Sequence, residues 1–230
     1  RASTVAVFEV GKCYQPDHSS SAISERLRLA GLWGGSATGS PWRREQREVD
    51  FLDLKGSVEA LLADLPCEFH PTEVPWLRPG CAAVIRIRGE ELGVLGEAEP
   101  KLCAAFDLER SVFIFEMDFE RLAGYWTSPK PTFDSLPKFA PIERDLAVIV
   151  PAHVGSGEVE SHIMGSSPEL IEAVELFDVY QGDQIPPDRK SLAYAIRMRS
   201  REKTLEDSEA DAIVQVALKR LGKSVGAELR

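Results

Sequence analysis

"KSLAYAIRMRSREKTLED", residues 190–207, changes its periodicity once, and that change sets the plan of half the chain. From Lys190 to Ser200 apolar and polar side chains alternate. Leu192, Tyr194, Ile196 and Met198 therefore share one face of a predicted strand, and Ser191, Ala193, Ala195, Arg197 and Arg199 share the other. Thr204, with Asp207 three residues on, is a helix-start signature: a hydroxyl that can cap an orphan N–H and a carboxylate near the positive helix end. A long helix over "LEDSEADAIVQVALKRLGKSV" is predicted to follow.

Working outward from that strand, "RDLAVIV" reads as a strand, "SGEVESHIMGSS" as a short helix, "LIEAVELFDVYQG" as a strand and "GAELR" as a last short strand. The order is βαββαβ, the split-βαβ, ferredoxin-like plan. Upstream, "TSPKPTFDSLPKFAPIERD" carries Pro129, Pro131, Pro137 and Pro141 without sustained periodicity. Proline removes a backbone donor and biases the preceding residue toward extended conformations, so this stretch reads as a linker with a boundary near Ser128.

Before the linker the pattern is mostly antiparallel strand with one clear helix. "STVAVFEVGKCY" is apolar and β-branched, "RLRLAGLWGG" alternates and stops at Gly34 and Gly35, and "CAAVIRIRGEELGVLGEA" reads as a hairpin turning at Gly89. "LKGSVEALLADL" places Val58, Leu61, Leu62 and Leu65 on one helical face. "SVFIFEMDFERL" reads as a closing strand with Phe113, Phe115, Met117 and Phe119 on one side, and "GGSATGSPW" as an exposed loop. The fold class is α+β.

Composition narrows the function classes. The chain has 230 residues, 43% hydrophobic and 28% charged, with a formal net charge of −10. It is too apolar to be disordered and too acidic for sequence-independent nucleic-acid binding, which needs a broad basic field to displace counterions. Any contact with a nucleic acid must be local, and no DNA partner is indicated. Nothing reads as a signal peptide or a spanning segment, so no membrane role and a cytoplasmic location are expected. Cys13, Cys67, Cys81 and Cys103 form no CxxC pair and read as reduced structural thiols. His18, His70, His153 and His162 sit at no metal-ligand spacing.

The short signatures of catalysis are missing: there is no GxxxxGK[ST], no GxGxxG at a strand-to-helix turn, no HExxH and no GxSxG. The glycines of "GVLGEAE" lie in a hairpin arm, and Glu90–Glu91 and Glu97–Glu99 read as solvent-facing carboxylates. Phe113, Phe115 and Phe119 have the spacing of a core. Trp33, Trp42, Trp76 and Trp126 sit near loops, where they could equally line a subunit contact.

Several long motifs then come in a recognisable order: "VAVFEVGKCY", "VDFLDLKGSVEALLADL", "LRPGCAAVIRIRGEELGVLGEAEPKL", "FEMDFERL", "KFAPIERDLAVIV", "VELFDVYQG", "KSLAYAIRMRSREKTLED" and "LKRLGKSVGAELR". Together they resemble the beta subunit of bacterial phenylalanyl-tRNA synthetases, from about Val5 to Arg230. The resemblance implies that residues 1–126 are the later part of a class II synthetase-like, pseudo-catalytic domain that builds the subunit interface. It implies that 127–136 are a linker and 137–230 a ferredoxin-fold anticodon-binding domain. The implied enzyme is an α2β2 heterotetramer that joins phenylalanine to tRNA(Phe) with ATP and Mg2+. This chain would supply anticodon-region binding and alpha-subunit assembly, with no catalytic residue and no cofactor of its own. Its start without Met, inside a strand-rich region, suggests a C-terminal portion.

Departures from the family pattern are specific. Class II enzymes hold ATP through a glycine-rich motif ending in arginine, which "SVFIFEMDFERLAGYW" lacks, so Arg121 reads as a surface residue. Arg78 in "RPGCAA" and Glu99 before Pro100 stand where the family often has histidines, and Glu143 stands at an often basic position.

On the predicted open strand face, small residues followed by two arginines suit a phosphate backbone, which guanidinium groups grip in two-pronged fashion. The candidate tRNA-binding residues are Arg197 and Arg199, extended at strand ends by Lys138, Arg144, Lys190, Arg201 and Lys203. Arg144, Lys190 and Arg199 match the family pattern, and Arg197 falls at a variable position. The competing reading is that the arginines merely pair with Glu172 or Glu175 across the sheet. At the level of function, the rival is a protein-interaction or small-ligand module that uses the same fold without an RNA role.

Overall fold

The computed structural model describes residues 4–16, 23–37, 47–62, 65–126 and 136–230. The chain divides into two compact units, residues 1–130 and 131–230.

The first unit is built on a six-stranded antiparallel sheet. In chain order its elements are β1 (Thr4–Pro16), β2 (Ile23–Gly35), α1 (Phe51–Leu62), β3 (Cys67–Pro71), β4 (Leu77–Ile87), β5 (Glu90–Ala98), α2 (Pro100–Ala105), β6 (Val112–Asp118) and α3 (Phe119–Tyr125). The strand order is β1-β2-β6-β5-β4-β3. β4 and β5 join through Arg88 and Gly89, both at positive φ (53° and 80°). Those are the backbone angles that a two-residue hairpin needs to match the strand twist, and the turn falls where glycine predicted it.

α1 buries Leu54, Val58 and Leu62, four residues apart, against Ile85, Leu95, Phe115 and Met117 of the sheet. Leu61 lies at the edge of that stripe and Leu65 falls beyond the helix end.

Two expectations are corrected in this unit. Phe119 does not continue the strand of Phe113, Phe115 and Met117. The Asp118 carboxylate accepts the Arg121 backbone N–H at 3.0 Å and caps a new helix at that point. Glu97 is not solvent-facing: it is buried, taking hydrogen bonds from Arg78 Nη1 at 3.1 and 3.2 Å and from Ser111 Oγ at 2.8 Å. The loop predicted over residues 34–42 lies outside the described residues from Thr38 onward, as do Trp42 and most of the predicted linker.

The second unit has β7 (Ile142–Pro151), α4 (Ser156–Met164), β8 (Ile171–Tyr180), β9 (Arg189–Met198), α5 (Asp207–Ser224) and β10 (Glu228–Leu229). This is the expected βαββαβ order, and its sheet runs β10-β7-β9-β8, all antiparallel. Leu192, Tyr194, Ile196 and Met198 are fully buried against Val159 and Ile163 of α4 and Ala210, Ala217 and Leu221 of α5. Small alanines on α5 let the helix approach the large side chains of β9 closely.

The start of α5 differs from its prediction. The cap is Glu206, whose carboxylate accepts the Glu209 N–H, while the Glu209 carboxylate accepts the Glu206 N–H at 3.1 Å. Two glutamates thus satisfy both orphan donors, and Thr204 remains outside the helix. Among the described residues no helix is long and apolar enough to cross a membrane, and no cluster of His, Cys, Asp or Glu could hold a metal ion. All four cysteines are free thiols.

Candidate nucleic-acid interface

With α4 and α5 covering one side of the second sheet, strand alternation turns the other side outward. Its rows follow from the register across β7, β9 and β8: Glu143, Arg197 and Ala173; then Asp145, Ala195 and Glu175; then Ala147, Ala193 and Asp178; then Ile149, Ser191 and Tyr180. Alanines in the middle leave the floor low, and charge is carried at the margins. At one end Tyr180 and Arg230 close over the floor. The Arg230 guanidinium stacks 5.2 Å from the Tyr180 ring centroid, and Ser191 beneath is only 2% exposed.

The arginines of this face do not stand free. Arg197 Nε donates to Glu143 Oε1 at 2.8 Å. That contact, with the charges of Glu172 and Glu175 behind it, pushes the guanidinium pKa further up. Arg199 lies just past the strand end, where its backbone N–H donates to Leu170 O at 2.8 Å. Its side chain donates to Glu172 Oε2, at 3.2 Å from Nε and 3.1 Å from Nη2. The face carries two arginines as expected, but each comes with a carboxylate. Glu143 was noted in the sequence only as a departure from the family pattern. Its cross-strand position opposite Arg197 becomes visible only when the register is known.

Arg144 and Lys190 do not extend the open face. Arg144 is opposite Ile196 and Lys190 is opposite Val150, so both belong to the helix-covered side. Arg144 reaches over that side to α5, where Nε donates to Asp211 Oδ1 at 2.9 Å and Nη2 to Asp207. The carboxylates of Asp211 and Asp207 raise its pKa, and the contact ties the start of β7 to the first turns of α5. The register separates these residues from Arg197, because side chains one position apart on a strand point to opposite faces.

The remaining candidates lie at ends and turns. Lys203 Nζ bonds Glu209 Oε1 at 2.6 Å, which raises the lysine pKa. Lys138 and Arg201 are exposed and Lys190 is half-buried; among the described residues their side chains have no ion pair or hydrogen bond. The Arg197–Glu143 pair is exposed on both sides and contributes little in water, so a phosphate can take the place of Glu143 at that guanidinium without a large penalty; Arg199, paired with Glu172, is half-buried.

The first unit offers a different kind of concavity. A groove of about 420 Å³ is lined by Phe8, Leu29, Trp33, Leu54, Phe115 and Phe119 among others. An apolar lining of this kind has nothing to grip a triphosphate or its cation. Arg121, read as a surface residue, is exposed, donates to Glu91 O at 3.0 Å and faces the Asp118 carboxylate at 3.7 Å.

The comparisons with known proteins agree with this division. Residues 1–119 match the family model described as the phenylalanyl tRNA synthetase beta chain CLM domain, and residues 137–230 match the ferredoxin-fold anticodon binding domain. The chain is 35% identical over 233 residues to the phenylalanine–tRNA ligase beta subunit of Dechloromonas aromatica (strain RCB), covering 100% of this chain and 29% of that protein. It is 38% identical over 234 residues to that of Moorella thermoacetica, again covering 100% of this chain and 29% of that protein. With that of Nitrosospira multiformis it shares 35% identity over 230 residues, 100% of this chain and 28% of the relative. The chain thus spans under a third of the length of these relatives. By sequence over its whole length, the chain belongs to the phenylalanine–tRNA ligase beta-subunit family.

Proposed function

We propose that this chain is a non-catalytic, RNA-recognising and subunit-assembling portion of a phenylalanine–tRNA ligase. Residues 137–230 meet the anticodon region of tRNA(Phe), residues 1–126 assemble with the alpha subunit, and residues 127–136 link the two. The holoenzyme, an α2β2 assembly of the cytoplasm, joins phenylalanine to tRNA with ATP and Mg2+, and this chain contributes binding rather than chemistry. The observation that carries the reading is the match of residues 137–230 to an anticodon-binding family model. The low floor of Ala147, Ala193 and Ala195, with Arg197 and Arg199 at its margin, supports it.

In this reading the alanine floor lets an RNA strand lie close to the sheet. The arginines then exchange a carboxylate for a phosphate oxygen, and released counterions make the affinity fall with added salt. The test is a pull-down of the full chain with alpha subunit and with tRNA(Phe), scored separately. Retention of both, with a steep salt dependence for the tRNA, is the expected result. Alpha-subunit binding without any tRNA binding leaves only the assembly role, and binding of neither removes the proposal. In the holoenzyme, Arg199→Ala is expected to weaken charging mainly through KM, because the contact is remote from the chemistry.

A further inference from the structure

Three of the second unit's cations that stand clear of carboxylates lie together away from the sheet face, on α5. Between Asp211 and Glu228 the sequence has no acidic residue, while Lys219, Arg220 and Lys223 fall within its last turns. All three are exposed, and with Val216 and Ser224 they line a shallow concavity of about 360 Å³. The Lys219 and Lys223 side chains have no ion pair or hydrogen bond among the described residues. They are one helical turn apart on the same face, with about 6 Å between Cβ atoms, a separation comparable to that of successive phosphates on an RNA strand. Arg220 is held differently: Nη1 donates to the carbonyl oxygen of Gly165, at the end of α4, so its guanidinium is oriented by a neutral acceptor and not by a carboxylate.

Cations in the last turn of a helix also complement its dipole, and Lys223 alone would need no other reason to be there. Three unneutralised cations around one concavity, on a chain of net charge −10, exceed that need. They also differ in kind from Arg197 and Arg199, each of which already holds a carboxylate.

We infer that Lys219, Arg220 and Lys223 form a second RNA-contacting surface, which binds backbone phosphates of the tRNA irrespective of sequence, while the open sheet face meets the anticodon region. This rests on the tRNA reading above and adds a surface that would set affinity rather than anticodon choice.

The test uses the full chain and compares Lys219→Gln/Lys223→Gln with Arg197→Ala/Arg199→Ala. Each is titrated by filter binding, over a range of salt, with tRNA(Phe) and with the same tRNA carrying a substituted anticodon. Thermal unfolding shows that the variants fold. The α5 variant is expected to weaken binding to both RNAs by the same factor and to flatten the salt dependence by about one unit per lost contact. Lys219→Arg/Lys223→Arg should restore it. An α5 variant that folds and binds both RNAs like the parent overturns the inference and leaves the anticodon reading standing. Absence of anticodon discrimination in the parent, with the salt effect of the α5 variant intact, overturns the anticodon reading alone. A parent that binds neither RNA overturns both.

Discussion

Arg197 donates through Nε to Oε1 of Glu143 at 2.8 Å, across the ladder that joins β9 to β7. A nucleic-acid phosphate arriving at that guanidinium must displace a carboxylate already bonded to it. Glu143→Gln keeps the shape and removes the competing charge, so it is expected to tighten tRNA binding several-fold at low ionic strength and to steepen the salt dependence by about one unit. Filter binding across a salt series reads both. An unchanged affinity would mean that Arg197 does not meet phosphate.

Tyr194 has no exposed surface, and its hydroxyl donates to the Ser156 carbonyl oxygen at 2.9 Å, at the start of α4. Burial, with the negative charge of Glu160 nearby, pushes its pKa well above the usual phenol range. A folded-state pKa above the unfolded one stabilises fully below the unfolded value and less as pH climbs toward the folded value. The second unit should therefore lose stability above about pH 10, where an unfolded tyrosine ionises. Tyr194→Phe should flatten that alkaline loss and lower stability near neutral pH by about 1 kcal/mol. Thermal unfolding at pH 7 to 11 on parent and variant separates the two effects.

A methyl group at Gly93 would stand 2.1 Å from the Glu116 carbonyl oxygen and 2.7 Å from the Met117 Cα, both backbone atoms of the neighbouring strand. Neither can rotate aside, so Gly93→Ala must push β5 and β6 apart and is expected to cost about 3 kcal/mol. Gly56, within α1, has nothing within 4 Å of the same added atom. Gly56→Ala is expected to stabilise by about 0.5–1 kcal/mol, because alanine loses less backbone entropy in a helix. Urea unfolding should move the two midpoints in opposite directions.

Glu97 is buried, and its charge is met by Arg78 and Ser111. Arg78→Ala leaves that carboxylate with one hydroxyl donor and is expected to cost about 1–3 kcal/mol, the penalty of an under-bonded buried polar group. Arg78→His should recover part of the loss at pH 5, where an imidazole is charged, and less at pH 8. A double-mutant cycle with Glu97→Gln isolates the pair, and a coupling near zero would assign Arg78 no structural part.

Much of the fold was legible because it rests on periods that a chain carries locally. The alternation of Leu192, Tyr194, Ile196 and Met198, the helical spacing of Val58 and Leu62, and the glycine at the Arg88–Gly89 turn each encode an element without reference to the rest of the molecule, whereas Leu54 joins the buried helix face only in the structure. The short elements β3, α2 and α3 of the first unit were not legible. α3 begins at Phe119 because Asp118 caps it, although the residues before it read as a continuing strand.

The sequence by itself determined the strand and helix order of the second unit, the identity of its buried face and the family to which its motifs belong. Only the tertiary structure decided which cations are available. Arg144, Arg197 and Arg199 look alike along the chain, and cross-strand register turns Arg144 to Asp207 and Asp211 on the helix side and leaves Arg197 and Arg199 against Glu143 and Glu172. Charge pairing depends on distances between residues dozens of positions apart, which no local pattern records, whereas hydrophobic periodicity is written into every few residues of the strand or helix that buries it.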